Sequence, residues 1–264
     1  MTAMSAEAAK KKMEELGPWY HIITHPSGVE TPGKGKNVQA KFERMVPWLD
    51  SNLEGKTVLD LGANACGLSL ESAKRGARVT AVESGLGYVK QAEWIAAEHG
   101  VDITIHHKQF YQISEIEDEF DYVLFMGLIY HLRHPQLGLD LVASRCRGRM
   151  FMNTPIIVSK SSVMECRLPT GEWYHGDPAD RIPASRDARY NYWFASPPAL
   201  DVMMRAAGFS NIETIEQIAR PFRSSSALER NESDFETGQI WLTATAAAHD
   251  DVLIDMARRR PAAG

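Results

Sequence analysis

Short, almost continuously apolar runs alternate along this chain with stretches whose apolar residues return every three or four positions. Lys56 to Leu61 (KTVLDL) reads as a buried strand, followed by a turn and a helix over Leu68 to Arg75. A strand at Arg78 to Val82, a helix near Tyr88 to Glu98 and a strand at Asp102 to His106 come next. Past the acidic patch Glu115 to Glu119, the pattern predicts a strand over Phe120 to Met126, a helix over Pro135 to Arg145 and a strand over Arg149 to Asn153. Strands with so few polar residues must be covered on both faces, and helical crossovers between parallel strands supply that cover. The expected fold is therefore α/β, a doubly wound and mostly parallel sheet.

The rhythm breaks over 156–190, where Pro155, Pro169, Pro178, Pro183 and the pair Trp173-Tyr174 predict an irregular insertion after the fifth strand. Ser196-Pro197-Pro198 then opens a helix that runs to about Ala207, with Gly208 as its stop. Asn211 to Ile218 and Gln239 to Thr245 are the last expected strands, a hairpin joined by the polar loop Arg223 to Thr237. Met1 to Leu16 reads as a charged helix, and the head 1–52, with Gly17-Pro18-Trp19-Tyr20-His21 and Thr31-Pro32-Gly33-Lys34-Gly35-Lys36, lies outside the sheet as a lid segment. The expected organisation is a head over 1–52, a core domain over 53–245 and a tail over 246–264.

Composition narrows the picture. A chain of 264 residues, 44% hydrophobic and 24% charged, holds one large domain with a real core rather than a disordered or disulfide-stapled chain. Its net charge of −5 supplies no global field to attract nucleic acid. Cys66, Cys146 and Cys166 lie far apart without a CxxC pair, which points to a reducing cytoplasm rather than to a disulfide framework. The amino terminus lacks the pattern of a signal peptide, and no apolar run reaches the roughly 18 residues of a membrane span.

The strongest chemical signal follows the first strand, in Asp60-Leu61-Gly62-Ala63-Asn64-Ala65-Cys66-Gly67. An acid at a strand end, then small residues turning into a helix, lets backbone approach a nucleoside cofactor at the sheet's switch point. Gly62, Asn64 and Gly67 fall where a dinucleotide-binding GxGxxG would carry glycines, but Asn64 obstructs a pyrophosphate. Asp60 suits the cationic amino group of S-adenosylmethionine better than a phosphate. Glu83, at the tip of the second strand and about 20 residues further on, is placed to accept both ribose hydroxyls. Taken alone, Glu83 reads equally as a solvated loop carboxylate. Phe110, after the third strand, offers an adenine stacking face or is simply core.

The block Phe120-Asp121-Tyr122-Val123-Leu124-Phe125-Met126-Gly127-Leu128-Ile129-Tyr130-His131-Leu132-Arg133-His134-Pro135 resembles that of the class I methyltransferases related to the tRNA wobble-uridine carboxymethyltransferases. Asn191-Tyr192-Trp193-Phe194-Ala195-Ser196-Pro197 is similar to a second block of that family, and the resemblance runs from about Gly28 to Thr245. It implies a Rossmann-like fold, S-adenosylmethionine as cofactor, and Met126 and Gly127 among the cofactor-binding residues. Tyr130 stands where the family addresses the extra carboxylate of carboxy-S-adenosylmethionine. No lysine stands near Trp19-Tyr20 in sequence, and Gly238-Gln239-Ile240 lacks the family's arginine, so the resemblance implies methyl transfer from the ordinary cofactor.

The expected catalytic residues are His131, with an ordinary pKa near neutrality suited to a general base, and Tyr130, which orients the acceptor or the sulfonium. The competing account of His131 is purely structural, because methyl transfer proceeds by proximity once the reactants are aligned. Among His21, His25, His131, His134 and His175 no pair has HxxxH spacing supported by a helix, so no metal site is expected. Arg145, Arg147 and Arg149 read as a solvated face rather than a phosphate site. Trp173, Tyr174, Tyr190, Tyr192 and Trp193 are candidates to wall an aromatic or sugar acceptor pocket, or form ordinary insertion core. The leading function is O-methylation of a small molecule. Modification of tRNA, a non-catalytic partner subunit and a nicotinamide oxidoreductase are the alternatives.

Overall fold

The computed structural model describes residues 4–33, 37–166, 193–219 and 237–246, which group into two compact units that divide after Phe110.

In the first unit, α1 (Ala6–Leu16) is capped by Ser5, whose side chain accepts from the Ala8 amide. Asn37 opens the short α2 (Val38–Glu43) by accepting from the amides of Gln39 and Ala40. The strands β1 (Thr57–Leu61), β2 (Arg78–Glu83) and β3 (Ile103–His107) are parallel, with β2 between the other two. Their register sets Asp60 opposite Ala81 and Glu83 opposite His107. The crossovers are α3 (Gly67–Lys74) and α4 (Leu86–His99). Gly100 ends α4 at φ +63°, its amide donating to the Ala96 and Ala97 carbonyls. Each strand agrees with the sequence pattern to within a residue or so. The reason is visible in β1, whose Val58, Leu59 and Leu61 are almost wholly buried.

In the second unit, β4 (Phe120–Met126) runs parallel to β5 (Cys146–Ile157), joined by α5 (Pro135–Arg145). Short strands β6 (Met164–Cys166) and β7 (Trp193–Ala195) follow, β7 parallel to β5 through Ile156 and Ala195. Ser196 caps α6 (Pro197–Ala206), its hydroxyl accepting from the Ala199 amide and donating to the Ser161 carbonyl at 2.7 Å. The expected hairpin forms from β8 (Phe209–Ala219) and β9 (Thr237–Ala246), with β9 antiparallel to β5. The sheet is thus Rossmann-like and mostly parallel, mixed at its carboxyl-terminal strands.

Two expectations change. The fifth strand is longer than Arg149 to Asn153 because β9 pairs with it from Arg149 to Ile157, so Pro155 lies inside a strand and the insertion starts later. The arginines are not a uniform solvated face. Arg145 is buried and donates to the Ile116 carbonyl, Arg147 grips Asp121 through two bonds of 3.0 Å, and Arg149 lies 3.5 Å from Glu213. The register shift beside Asp121 depends on Gly148, where an added Cβ would lie 2.2 Å from the Asp121 carbonyl oxygen.

Candidate active site

The turn after β1 is held in a left-handed backbone at Gly62, Asn64 and Cys66, with φ of +66°, +53° and +55°. The spacing of Gly62, Asn64 and Gly67 does not show which residues turn left-handed: the third is Cys66, and Gly67 is the first residue of α3. Asn64 tolerates the conformation because its short side chain bonds locally, and its Oδ1 accepts from the Ala65 amide at 2.8 Å. Gly67 is needed for a different reason: an added Cβ would lie 2.6 Å from Val38 Cγ2, so α2 seats directly against the start of α3.

Two carboxylates anchor this turn. Asp60 is 3% exposed and accepts from the Ser69 hydroxyl at 2.7 Å. Burial is the main reason its pKa rises to about 6; the Ser69 hydrogen bonds pull the other way and Glu83 adds to the rise. Glu83 is also buried and accepts from the Asn64 amide at 2.8 Å and the Gly85 amide at 2.7 Å. It ties the β1 turn to the start of α4, which excludes the reading of a solvated loop acid. Phe110 opens a 3-10 stretch to Glu115 and is half-buried, so it is not plain core.

In the second unit, Met126 ends β4 and Gly127 follows at φ +70°, its amide donating to the Asn153 carbonyl at 2.9 Å. A 3-10 turn over Ile129–His131 brings the rings of Tyr130 and His131 within 4.1 Å of each other, both half-buried. Phe194 meets Tyr130 edge-on at 6.5 Å, and Trp193 Nε1 donates to the Arg133 carbonyl at 3.1 Å. Met126, Gly127, Tyr130 and His131 therefore form one cluster around the end of β4. Trp173, Tyr174, His175, Tyr190 and Tyr192 lie outside the described residues.

The sequence reading missed the contribution of the head to the first unit. Gln91 Nε2 donates to the carbonyls of Leu16 and Pro18, His25 lies 3.1 Å from Glu98, and His25 stacks on Trp94. A lysine does stand beside Tyr20: Lys41 Nζ, carried by α2, lies 5.6 Å from that ring's centroid. Its charge reaches Asp60 and His21, favouring the ionised acid and the neutral imidazole. Separation along the chain hid this pairing, and only the packing of α2 revealed it.

A Rossmann-like mostly parallel sheet with a tight first turn and an acid at the end of its second strand is the arrangement by which doubly wound sheets hold nucleoside cofactors. Residues 35–214, more than half of the chain, match the family described as "Methyltransferase domain", and the chain belongs to that family. Among curated relatives, the ubiquinone biosynthesis O-methyltransferase of Aeromonas salmonicida is 32% identical over 105 residues, covering 39% of this chain and 44% of that protein. The protein of the same name from Xanthomonas euvesicatoria pv. vesicatoria is 25% identical over 218 residues, 75% of this chain and 82% of the relative. Of solved structures, the N-terminal domain of EvdMO1 with S-adenosylhomocysteine bound superposes with a TM-score of 0.64 at 18% identity, over 92% of this chain and 98% of that one. The YcgJ protein of Bacillus gives 0.58 at 14%, over 80% and 100%. These likenesses establish the shared fold.

Among the described residues no helix is long and apolar enough to cross a membrane.

Proposed function

We propose that this enzyme transfers a methyl group from S-adenosylmethionine to an oxygen of a small-molecule acceptor. The observation that carries the reading is the similarity, over three quarters of the chain, to a ubiquinone biosynthesis O-methyltransferase.

The residues of the first unit fit the cofactor. Asp60, buried and able to ionise near neutrality, suits the ammonium of the methionine end, and Glu83, a buried carboxylate at the end of β2, suits the ribose hydroxyls. Gly62 and Asn64 let backbone approach the nucleoside, and Phe110 offers a half-buried stacking face. In the second unit, Met126 and Gly127 at the end of β4 are the cofactor-binding residues that the family resemblance implies. The cofactor supplies an electrophilic methyl on a sulfonium, which leaves as a thioether when the acceptor oxygen attacks. Tyr130 orients the acceptor, and His131 takes the proton that the oxygen releases. The aromatic surroundings of Tyr130 and Trp193 favour an aromatic or sugar-bearing acceptor. The two buried free thiols, Cys66 and Cys146, support a reducing cytoplasm as the setting.

The likeness of the Phe120 to Pro135 block to the tRNA wobble-uridine enzymes favours a second reading, in which tRNA is the acceptor. The net charge of −5 counts against it. Incubation with methyl-labelled cofactor separates the two: label entering a catechol-type or other small hydroxylated acceptor supports the proposal, and label entering bulk tRNA overturns it. Calorimetry that showed NAD binding and no S-adenosylhomocysteine binding would remove both readings.

A further inference from the structure

One pair of amide side chains in the second unit has no place in the roles assigned so far. Asn153 stands in β5 opposite Met126, the last residue of β4, and the parallel register puts these two side chains on the same face of the sheet. Both are half-buried, while Met152 and Thr154 on either side of Asn153 are closed off. The Asn153 amide is held from β9: its Nδ2 donates to the Ile240 carbonyl at 3.0 Å, and its Oδ1 accepts from Gln239 Nε2 at 3.2 Å. The backbone carbonyl of the same residue accepts from the Gly127 amide at 2.9 Å. Over Gly127 lies the Tyr130 hydroxyl, 3.8 Å from where a Cβ on that glycine would stand. Asn153 is thus bonded directly to the turn that leads into Tyr130 and His131.

The pair is not needed to join the strands. β5 and β9 already pair over nine residues, from Arg149 to Ile157, and an apolar side chain at position 153 would fill the place without desolvating an amide. What the amide adds is hydrogen-bonding capacity. An asparagine side chain carries two N–H donors and two acceptor lone pairs, and among the described residues Asn153 uses one of each. Those two bonds also fix which end is nitrogen, so the second N–H and the second lone pair point in set directions. A donor and an acceptor on one uncharged group match a hydroxyl, which offers both in return. A carboxylate would call for a cationic partner, and the arginines of β5, Arg147 and Arg149, serve Asp121 and Glu213 instead.

We propose that Asn153 is a specificity-determining residue: its amide binds a hydroxyl of the acceptor next to the oxygen that is methylated, and Gln239 holds that amide in place. This rests on the reading of the enzyme as an O-methyltransferase of small molecules. The test is calorimetry on the full chain saturated with S-adenosylhomocysteine, with catechol and phenol as probes, because phenol lacks only the second hydroxyl. Wild type is expected to bind catechol about 10-fold more tightly than phenol, equivalent to about 1.4 kcal/mol. Asn153→Leu, of nearly the same shape, is expected to bring catechol to the level of phenol, and to change phenol and S-adenosylhomocysteine affinity by less than about 2-fold. Gln239→Leu unties the Asn153 amide and is expected to reduce the preference about 3-fold; it serves also if the Asn153 variant fails to fold. Wild type that binds catechol no more tightly than phenol, or a preference that survives intact in the variants, overturns the role. Label from methyl-labelled cofactor that enters bulk tRNA and neither probe overturns the small-molecule reading itself, a result distinct from a failure of Asn153 alone.

Discussion

The Asp60 carboxyl sets binding against stability, and replacing it with asparagine exposes that conflict. In the folded protein its pKa rises from the ordinary 3.8 to about 6, with burial as the largest cause. Between these values the folded state holds a proton that the unfolded state has lost, so stability falls as pH rises through this window and stays reduced above it. That rise corresponds to about 3 kcal/mol at neutral pH. An asparagine in its place would keep an acceptor for the Ser69 hydroxyl, but its amide N–H needs a partner of its own, which offsets about 1 kcal/mol. Asp60→Asn is therefore expected to raise the unfolding free energy of the ligand-free protein by about 1–3 kcal/mol at about pH 7.5, with the gain fading by about pH 4. Urea denaturation at the two pH values measures it. The same variant should lose S-adenosylhomocysteine affinity, and wild-type affinity should climb as pH passes about 6. A variant whose stability difference from wild type is the same at both pH values would refute the argument, because the charge would then not be what burial penalises.

Glu83→Ala orphans the Asn64 and Gly85 amides, so it should cost about 1–3 kcal/mol of stability for each and weaken cofactor binding by about 1–3 kcal/mol. Stability loss with unchanged calorimetric affinity would leave Glu83 as a scaffold residue only. His131→Ala should lower turnover by about 10²-fold and flatten the pH–rate profile if the imidazole is the base; a drop of a few fold with an unaltered profile assigns it to positioning. Gly148→Ala should destabilise by at least about 2 kcal/mol, because the new Cβ meets the Asp121 backbone and not a movable side chain. Unaltered chemical denaturation would contradict the close approach at that register shift.

How far the site was legible depends on how local each signal is. Asp60 and Glu83 stand at strand ends, and strand ends follow from the apolar runs before them. The strand over Phe120 to Met126 and the helix over Pro135 to Arg145 agree with the structure residue for residue, for the same reason. The sequence reading placed Gly67 by the spacing of a GxGxxG turn, which carries no mark of which residues take a positive φ. In the fold Cys66 takes the third left-handed position, and Gly67 answers instead to the proximity of Val38. Lys41 carries no local mark of its pairing with Tyr20. That relation exists only because Ile22 and Val38 bring the head and α2 together.

Period and turn chemistry along the chain thus determined the order of strands and helices, the α/β class and the acids of the cofactor turn, because those depend on which face each residue must bury. Tertiary packing alone decided the length of β5, the pairing of the arginines, the dual structural use of Glu83 and the burial of His21. Each of these depends on a contact between segments far apart in sequence, and such a contact leaves no periodic trace in either segment.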